Sequence, residues 1–184
     1  MESTTASPRR VELLDAAYAY ALEHGLGDLS LRPLAAAIGS SPRVLLFLFG
    51  SKDGLIRELL ARARSEEIAM LRAAPPGTLA ETTLLLWEWL SAPRHRALLT
   101  LWTEAYAKSL VDPDGPWSSF AAETVGDWLA VLAEAQPPST RDMPQATAER
   151  TANLALLRGA LLDLLATGDR ARTTAAVRQA KGVR

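Results

Sequence analysis

The chain has 184 residues, 48% hydrophobic and 22% charged, a soluble globular balance that suits one sizeable domain or a small module fused to a larger one. A net charge of −1 argues against a strongly basic nucleic-acid binder, and the absence of cysteine excludes disulfides and thiolate metal sites. No apolar run approaches the length of a bilayer span and "MESTTASPRR" lacks a signal-peptide core, so a cytoplasmic protein with no membrane partner is expected.

Helical periodicity dominates throughout. Residues 1–7 read as a disordered tail, and Pro8 opens a first helix with Val11, Leu14, Ala17, Tyr18, Ala21 and Leu22 on one side. "HGLGD" stops it, with Gly25 as a natural left-handed cap. Ser30 is the expected cap of "LRPLAAAI", where Pro33 is tolerated in the first turn; Gly39 ends that helix. Ser41 caps a third helix, Gly50 stops it, and Ser51 caps a fourth running through "KDGLIRELLARARSEEIAMLRA". "APPGT" (74–78) is the clearest break. Beyond it, "LAETTLLLWEWL" is apolar around most of its circumference, the pattern of a centrally buried helix. "PRHRALLTLWTEAYAKSLV", the turn "DPDGP", "WSSFAAETVGDWLAVLAEA" and the loop "QPPSTRDMP" follow, then a long helix over 144–167 and a last one over 169–181. No segment alternates as a strand does and no unit repeats at a fixed period. The expected fold is all-α, about nine helices, with a three-helix N-terminal module over 8–53 and a larger helical bundle over 54–184.

A short helix, a turn at Gly39 and a second short helix form the helix-turn-helix layout, in which the second helix enters a major groove and its first residues reach base edges. Two ordinary packed helices share that layout. Those first residues are Ser41, Pro42, Arg43 and Val44; arginine pairs with guanine in two bonds, and apolar atoms meet the thymine methyl. Within residues 30–64, Arg32, Arg43, Lys52, Arg57, Arg62 and Arg64 face only Asp53 and Glu58, leaving +4. That excess is either a DNA-facing patch or a solvated helix surface. The third helix also poses a question of its own. Val44, Leu45, Leu46, Phe47, Leu48 and Phe49 run without a polar residue, yet a helix this short has a far side that no single core covers.

The segment "LLDAAYAYALEHGLGDLSLRPLAAAIGSSPRVLLFLFGSKDGLIRELL" resembles the DNA-binding domain of the TetR family of bacterial transcriptional regulators over roughly residues 10–60. "AAYAYALEHG" is similar to the first helix, "LSLRPLAAAIGSS" to the second with its turn, and "LFLFGSKDGL" to the third running into the fourth. The rest resembles the family in layout, with "LLRGALLDLLATGDRARTTAAV" similar to the paired last helices through which members dimerise. The resemblance implies that Arg32 reaches a base, that Pro42, Arg43 and Val44 occupy base-reading positions, and that Lys52 binds backbone phosphate. The chain departs from the family where Leu46, Phe47 and Leu48 replace a usual Tyr-His-Tyr: the first two of those positions normally face DNA, and Leu46 lacks the hydroxyl that grips a phosphate. Leu45, Leu48 and Phe49 are therefore assigned to the module's core, with Leu46 and Phe47 left outside to pack on sugar edges or thymine methyl groups.

In the body, all five tryptophans lie between residues 87 and 128. His95, Leu99, Trp102 and Tyr106 follow helical spacing on one helix, and Trp117, Phe120, Thr124 and Trp128 on the next. Aromatic walls with a few polar groups make small-molecule pockets, although the same residues also fill bundle cores. Together with the resemblance they give a candidate ligand site of Trp102, Tyr106, Trp128 and His95, with Trp87 and Trp117 in the wider set. Arg158, in an apolar helix, suits an acidic ligand, a dimer interface, or a side chain reaching back to water; Asn153 is open to the same readings. Leu154, Leu157, Leu161, Leu164 and Leu165 offer more apolar surface than one core face requires, which suits self-association.

No catalytic constellation is present: two histidines, no cysteine, no HExxH and no G-x-S-x-G. "GLGDLS" lacks the third glycine and the preceding strand of a dinucleotide loop, and "DPDG" lacks the later ligands of a calcium loop. Neither a cofactor nor a metal is expected. The resulting expectation is a homodimeric repressor that binds a palindromic operator in double-stranded DNA and is released by a small, mostly apolar ligand. The alternative is a small-molecule-binding helical protein whose DNA module is vestigial.

Overall fold

Pro8 supplies the preset backbone angle of a first helical turn, and from it α1 runs Pro8–His24. The computed structural model describes residues 7–26, 29–73 and 77–183; the tail at 1–6 and the break at 74–76 lie outside the described residues. The buried stripe of α1 runs through Leu13, Ala17, Tyr18 and Ala21. Val11 is exposed and Leu14 half-buried, so the stripe is rotated from the expected one onto the i, i+4, i+8 row of Leu13, Ala17 and Ala21.

The next three helices are short or sharply joined, and their joints are chemical. α2 (Leu31–Ala37) has Ser30 at its N-cap position in extended backbone, but the Ser30 hydroxyl accepts no capping bond, contrary to the expectation. At α3 (Pro42–Phe49), Ser41 Oγ accepts the Val44 N–H at 3.3 Å. Gly50, at φ +77°, then turns the chain while its N–H donates to the Leu46 carbonyl at 2.9 Å. At α4 (Lys52–Arg72), Ser51 Oγ accepts the Gly54 N–H at 2.9 Å. A Cβ on Gly54 would stand 2.1 Å from the Phe49 carbonyl oxygen, so only glycine lets the start of α4 lie this close to the end of α3.

α5 (Leu79–Leu90) starts at a capping box: the Thr78 hydroxyl accepts the Glu81 N–H at 3.3 Å, and the Glu81 carboxylate accepts the Thr78 N–H at 2.8 Å. A single 3-10 turn, Pro93–His95, leads into α6 (Arg96–Val111), followed by α7 (Phe120–Glu134). α8 (Pro144–Thr167) ends at Gly168 in left-handed backbone, and Asp169 caps α9 (Arg170–Ala180) by accepting the Arg172 N–H at 3.0 Å. The described residues form nine α-helices and no strand.

Contacts divide the chain into two compact units, residues 1–65 with 100–121, and 66–99 with 122–184; the division runs through α4, α6 and the start of α7. In the first, α2 packs on both α1 and α3, over fully buried Leu13, Leu26, Leu34, Leu45, Leu55 and Leu59. In the second, α5, α8 and α9 pack on one another around Leu86, Trp87, Leu90, Trp128, Leu132, Leu157 and Val177. Leu86, Trp87 and Leu90 of α5 are buried there, whereas Leu85 is 38% exposed, so its apolar circumference is buried only in part. Among the described residues no single helix is long and apolar enough to cross a membrane.

Candidate nucleic-acid interface

Each residue of an α-helix advances about 100° around the axis, so a residue two places from each of two core residues stands opposite both. In α3 the core residues are Leu45 and Phe49, and Phe47 lies between them. Phe47 is 86% exposed, with Leu46 at 42% and Val44 at 38%, while Leu48 is half-buried. The apolar run is divided as its periodicity requires: Leu45, Phe49 and part of Leu48 inward, and Val44, Leu46 and Phe47 outward. A phenyl ring this exposed in the last turn of α3 buries little of its surface in the unit's own core.

Charge sorts itself around this face. Arg10 pairs with Glu58 at 2.6 Å, bonds the Leu48 carbonyl at 3.4 Å, and lies 5.2 Å from the centre of the Phe49 ring, fastening α1 to the end of α3. Arg62 pairs with Asp15 at 3.4 Å and sits 5.9 Å over the Tyr18 ring. Arg62, counted above as part of the basic excess, is thereby engaged inside the unit. Arg32 on α2, Arg43 in the first turn of α3, and Lys52 and Arg57 on α4 are exposed, and no ion pair holds any of them among the described residues. Ser41 and Pro42 are half-exposed at the start of α3, which leaves α2 at an angle of 102°. That angle falls in the range of helix-turn-helix units.

Residues 13–59 match the family model described as bacterial regulatory proteins, tetR family. The HTH-type transcriptional regulator BetI of Rhizobium meliloti (strain 1021) is 30% identical over 132 residues, 70% of this chain and 52% of that protein. The chain belongs to the TetR family. It spans about half the length of that curated relative. The multidrug binding protein EbrR, solved in complex with proflavin, is 25% identical with a TM-score of 0.67, the match covering 93% of this chain and 98% of that one. EbrR has also been solved with imidazole, at 26% identity and a TM-score of 0.67 over 95% of this chain and 90% of that one. A TetR-family regulator from Cytophaga hutchinsonii has a TM-score of 0.76 over 99% of this chain and 96% of its own, at 16% identity, a likeness of fold alone.

For this TetR-family chain the body residues fall into distinct environments. Trp87 is a core residue, 1% exposed, whose indole N–H donates to the Thr174 hydroxyl of α9 at 3.0 Å. His95 stacks on Trp89 at 3.9 Å and bonds the Trp89 carbonyl at 2.8 Å; it pins the α5–α6 turn. Asn153 is buried and accepts the Thr83 hydroxyl at 2.9 Å and the Lys181 ammonium, while its amide donates to the Glu149 carbonyl at 2.7 Å. Burial holds the Lys181 ammonium below the ordinary lysine value. These three side chains are occupied in holding the fold.

Trp117 is buried, Trp102 and Tyr106 stack at 5.0 Å on α6, and Trp128 donates its indole N–H to the buried carboxylate of Glu67. Arg158 is half-buried on α8. A groove of about 1210 Å³ lies along α9 beside Arg170, Thr174, Arg178 and Gln179, and a cleft of about 440 Å³ lies near Thr78, Gln136 and Glu149. None of the aromatic candidates lines either one. Leu154, Leu157, Leu161 and Leu164 are 0–8% exposed and Leu165 is partly buried on the same core. In the single chain these leucines form the unit's own core. The outward face of α8 instead carries Ala152, Ala155, Gly159 and Leu162, the last 52% exposed.

Sequence reading did not find Glu104. Its carboxylate, on α6, accepts the N–H of buried Leu26 at 2.8 Å, and a Cβ on neighbouring Gly25 would lie 3.2 Å from the same oxygen. A body helix is thereby tied to the turn that leads into α2.

Proposed function

We propose that the chain is a DNA-binding transcriptional repressor that recognises a palindromic operator as a homodimer and is released by a small, mostly apolar ligand. The observation that carries this reading is the α3 face: an 86%-exposed Phe47 beside Arg43, with Arg32 and Lys52 exposed and not ion-paired among the described residues. Cations kept free of carboxylates suit a polyanion, and a short helix capped at Ser41 suits insertion into a major groove. Ser41, Pro42, Arg43 and Val44 at the start of α3 are assigned to base edges, Arg32 to a neighbouring base, Lys52 to backbone phosphate, and Leu46 and Phe47 to apolar contact.

The exposed small residues of α8, with Leu162, support close approach of a second copy. A two-fold dimer sets the half-site centres about one helical turn, or a multiple, apart. EbrR, a multidrug binding protein solved with proflavin and with imidazole, supports a body that accepts small molecules. Trp102, Tyr106, Trp117, Trp128 and Arg158 remain the candidates for contacting one. The Glu104–Leu26 bond offers a route by which a shift of α6 is felt at the reading module. Release requires that the ligand bind the two conformations with different affinity.

The test is selection of bound fragments from a random duplex pool by the purified protein at a fixed salt concentration. Recovery of a palindrome is the expected result. Binding that is salt-sensitive and indifferent to sequence would contradict it and favour the alternative, a small-molecule-binding protein with a vestigial DNA module, to which the replacement of a phosphate-gripping hydroxyl by Leu46 already lends some support.

A further inference from the structure

We propose that Phe47, flanked by Val44 and Leu46, reads thymine C5-methyl groups, so that each half-site carries thymine about two base pairs from the guanine met by Arg43. This rests on the DNA-binding reading above and adds the base chemistry.

Arg43, Val44 and Phe47 are exposed at i, i+1 and i+4, so they share one outward face of α3. At 1.5 Å per residue, Phe47 lies about 6 Å along the axis from Arg43, close to two base steps of about 3.4 Å. The phenyl ring has no donor or acceptor. In the major groove guanine, adenine and cytosine present hydrogen-bonding atoms, and thymine alone adds a methyl group. A phenyl ring set against the other bases would strip water from polar edges without replacing their bonds. The exposed cations of the same run of helices, Arg32, Arg43, Lys52 and Arg57, favour a polyanion as the occupant over an apolar protein surface. The Ser41 cap and the Gly50 stop keep Phe47 inside the helix and away from a frayed end, which fixes where the ring points.

The experiment substitutes deoxyuridine for thymine, one base pair at a time, in the operator recovered by selection, which removes a methyl and nothing else. Dissociation constants are measured at one salt concentration for the wild type, Phe47→Ala and Phe47→Leu. Loss of one methyl contact is expected to weaken wild-type binding about fourfold at one or two positions of each half-site. Phe47→Ala should bind both duplexes alike at those positions, and Phe47→Leu should restore part of the difference. Tight operator binding that ignores every deoxyuridine would overturn the inference, assign the ring to sugar edges, and leave the repressor reading intact. Failure to select any operator would remove the repressor reading and this inference with it. Because Phe47 is 86% exposed, both variants keep the fold, which a thermal melt verifies.

Discussion

Gly54 shows what one missing methyl group accomplishes. Its backbone passes so close to the Phe49 carbonyl that a Cβ would sit 2.1 Å from the oxygen, and that oxygen is backbone, unable to swing aside. Gly54→Ala must push α4 away from the end of α3, and we expect it to cost about 1–3 kcal/mol in a denaturant melt. A melt identical to the wild type's would show that the turn yields. Glu104 makes the complementary point for a long-range bond. Removing the carboxylate leaves the buried Leu26 N–H unpaired, so Glu104→Ala should speed hydrogen exchange at Leu26 and lower stability by roughly 1 kcal/mol. Glu104→Gln keeps a carbonyl acceptor and should lose less; unchanged Leu26 exchange in Glu104→Ala would refute the role. The two residues differ in how readable they were. Gly54 belongs to the run "GSKDGL", where neighbours in sequence are neighbours in space. Glu104 lies 78 residues from Leu26, and nothing local to "WTEAY" announces the partner.

The same distinction holds among the helices. Caps that act over three residues were legible: Ser41 and Ser51 make their bonds to Val44 and Gly54. Ser30 has the same residue type in the same position and makes none, because a hydroxyl at an N-cap has a bond available and no obligation to form it. The division of α3 into inward Leu45 and Phe49 and outward Leu46 and Phe47 followed from period together with the family resemblance, while Leu48, assigned inward with them, is half-buried. In α8, period identified the leucine face but not its partner. Leu154, Leu157, Leu161 and Leu164 are taken up by the unit's own core, and the surface left over is a row of small residues that carries no hydrophobic signature. Likewise Trp87 and His95 could not be separated from pocket residues by type, since a core tryptophan and a ligand-facing one look alike in sequence. The α8–α9 joint carries a testable electrostatic feature. Two bonds from Arg172, at 2.6 and 2.8 Å, hold the Asp163 carboxyl below the ordinary carboxylate range, and the Thr78 N–H does the same for Glu81 at the start of α5. Carboxyls depressed on folding stabilise at pH values above their unfolded pKa, and that contribution is lost as pH falls through the folded value. Thermal midpoints should therefore hold between pH 7 and about pH 5 and decline below about pH 4. Asp163→Asn should soften that decline; a variant with the wild-type acid profile would exclude Asp163 from it.

Across the molecule, the net charge of −1 conceals a division of labour. Arg10 and Arg62 are held by Glu58 and Asp15 inside the first unit, while Arg32, Arg43 and Lys52 stay exposed on the α2–α4 face. Base reading by Arg43 and phosphate contact by Lys52 respond differently to a change of DNA. Lys52→Ala should weaken binding to the operator and to an unrelated duplex alike, and reduce the log-log salt slope by roughly one. The most direct test of sequence-specific reading by α3 is the affinity of Arg43→Ala for the selected operator and for an unrelated duplex of equal length, at one salt concentration. A loss of about 1–3 kcal/mol is expected on the operator, with the unrelated duplex spared. Equal losses on both would contradict it, reducing Arg43 to one more phosphate contact.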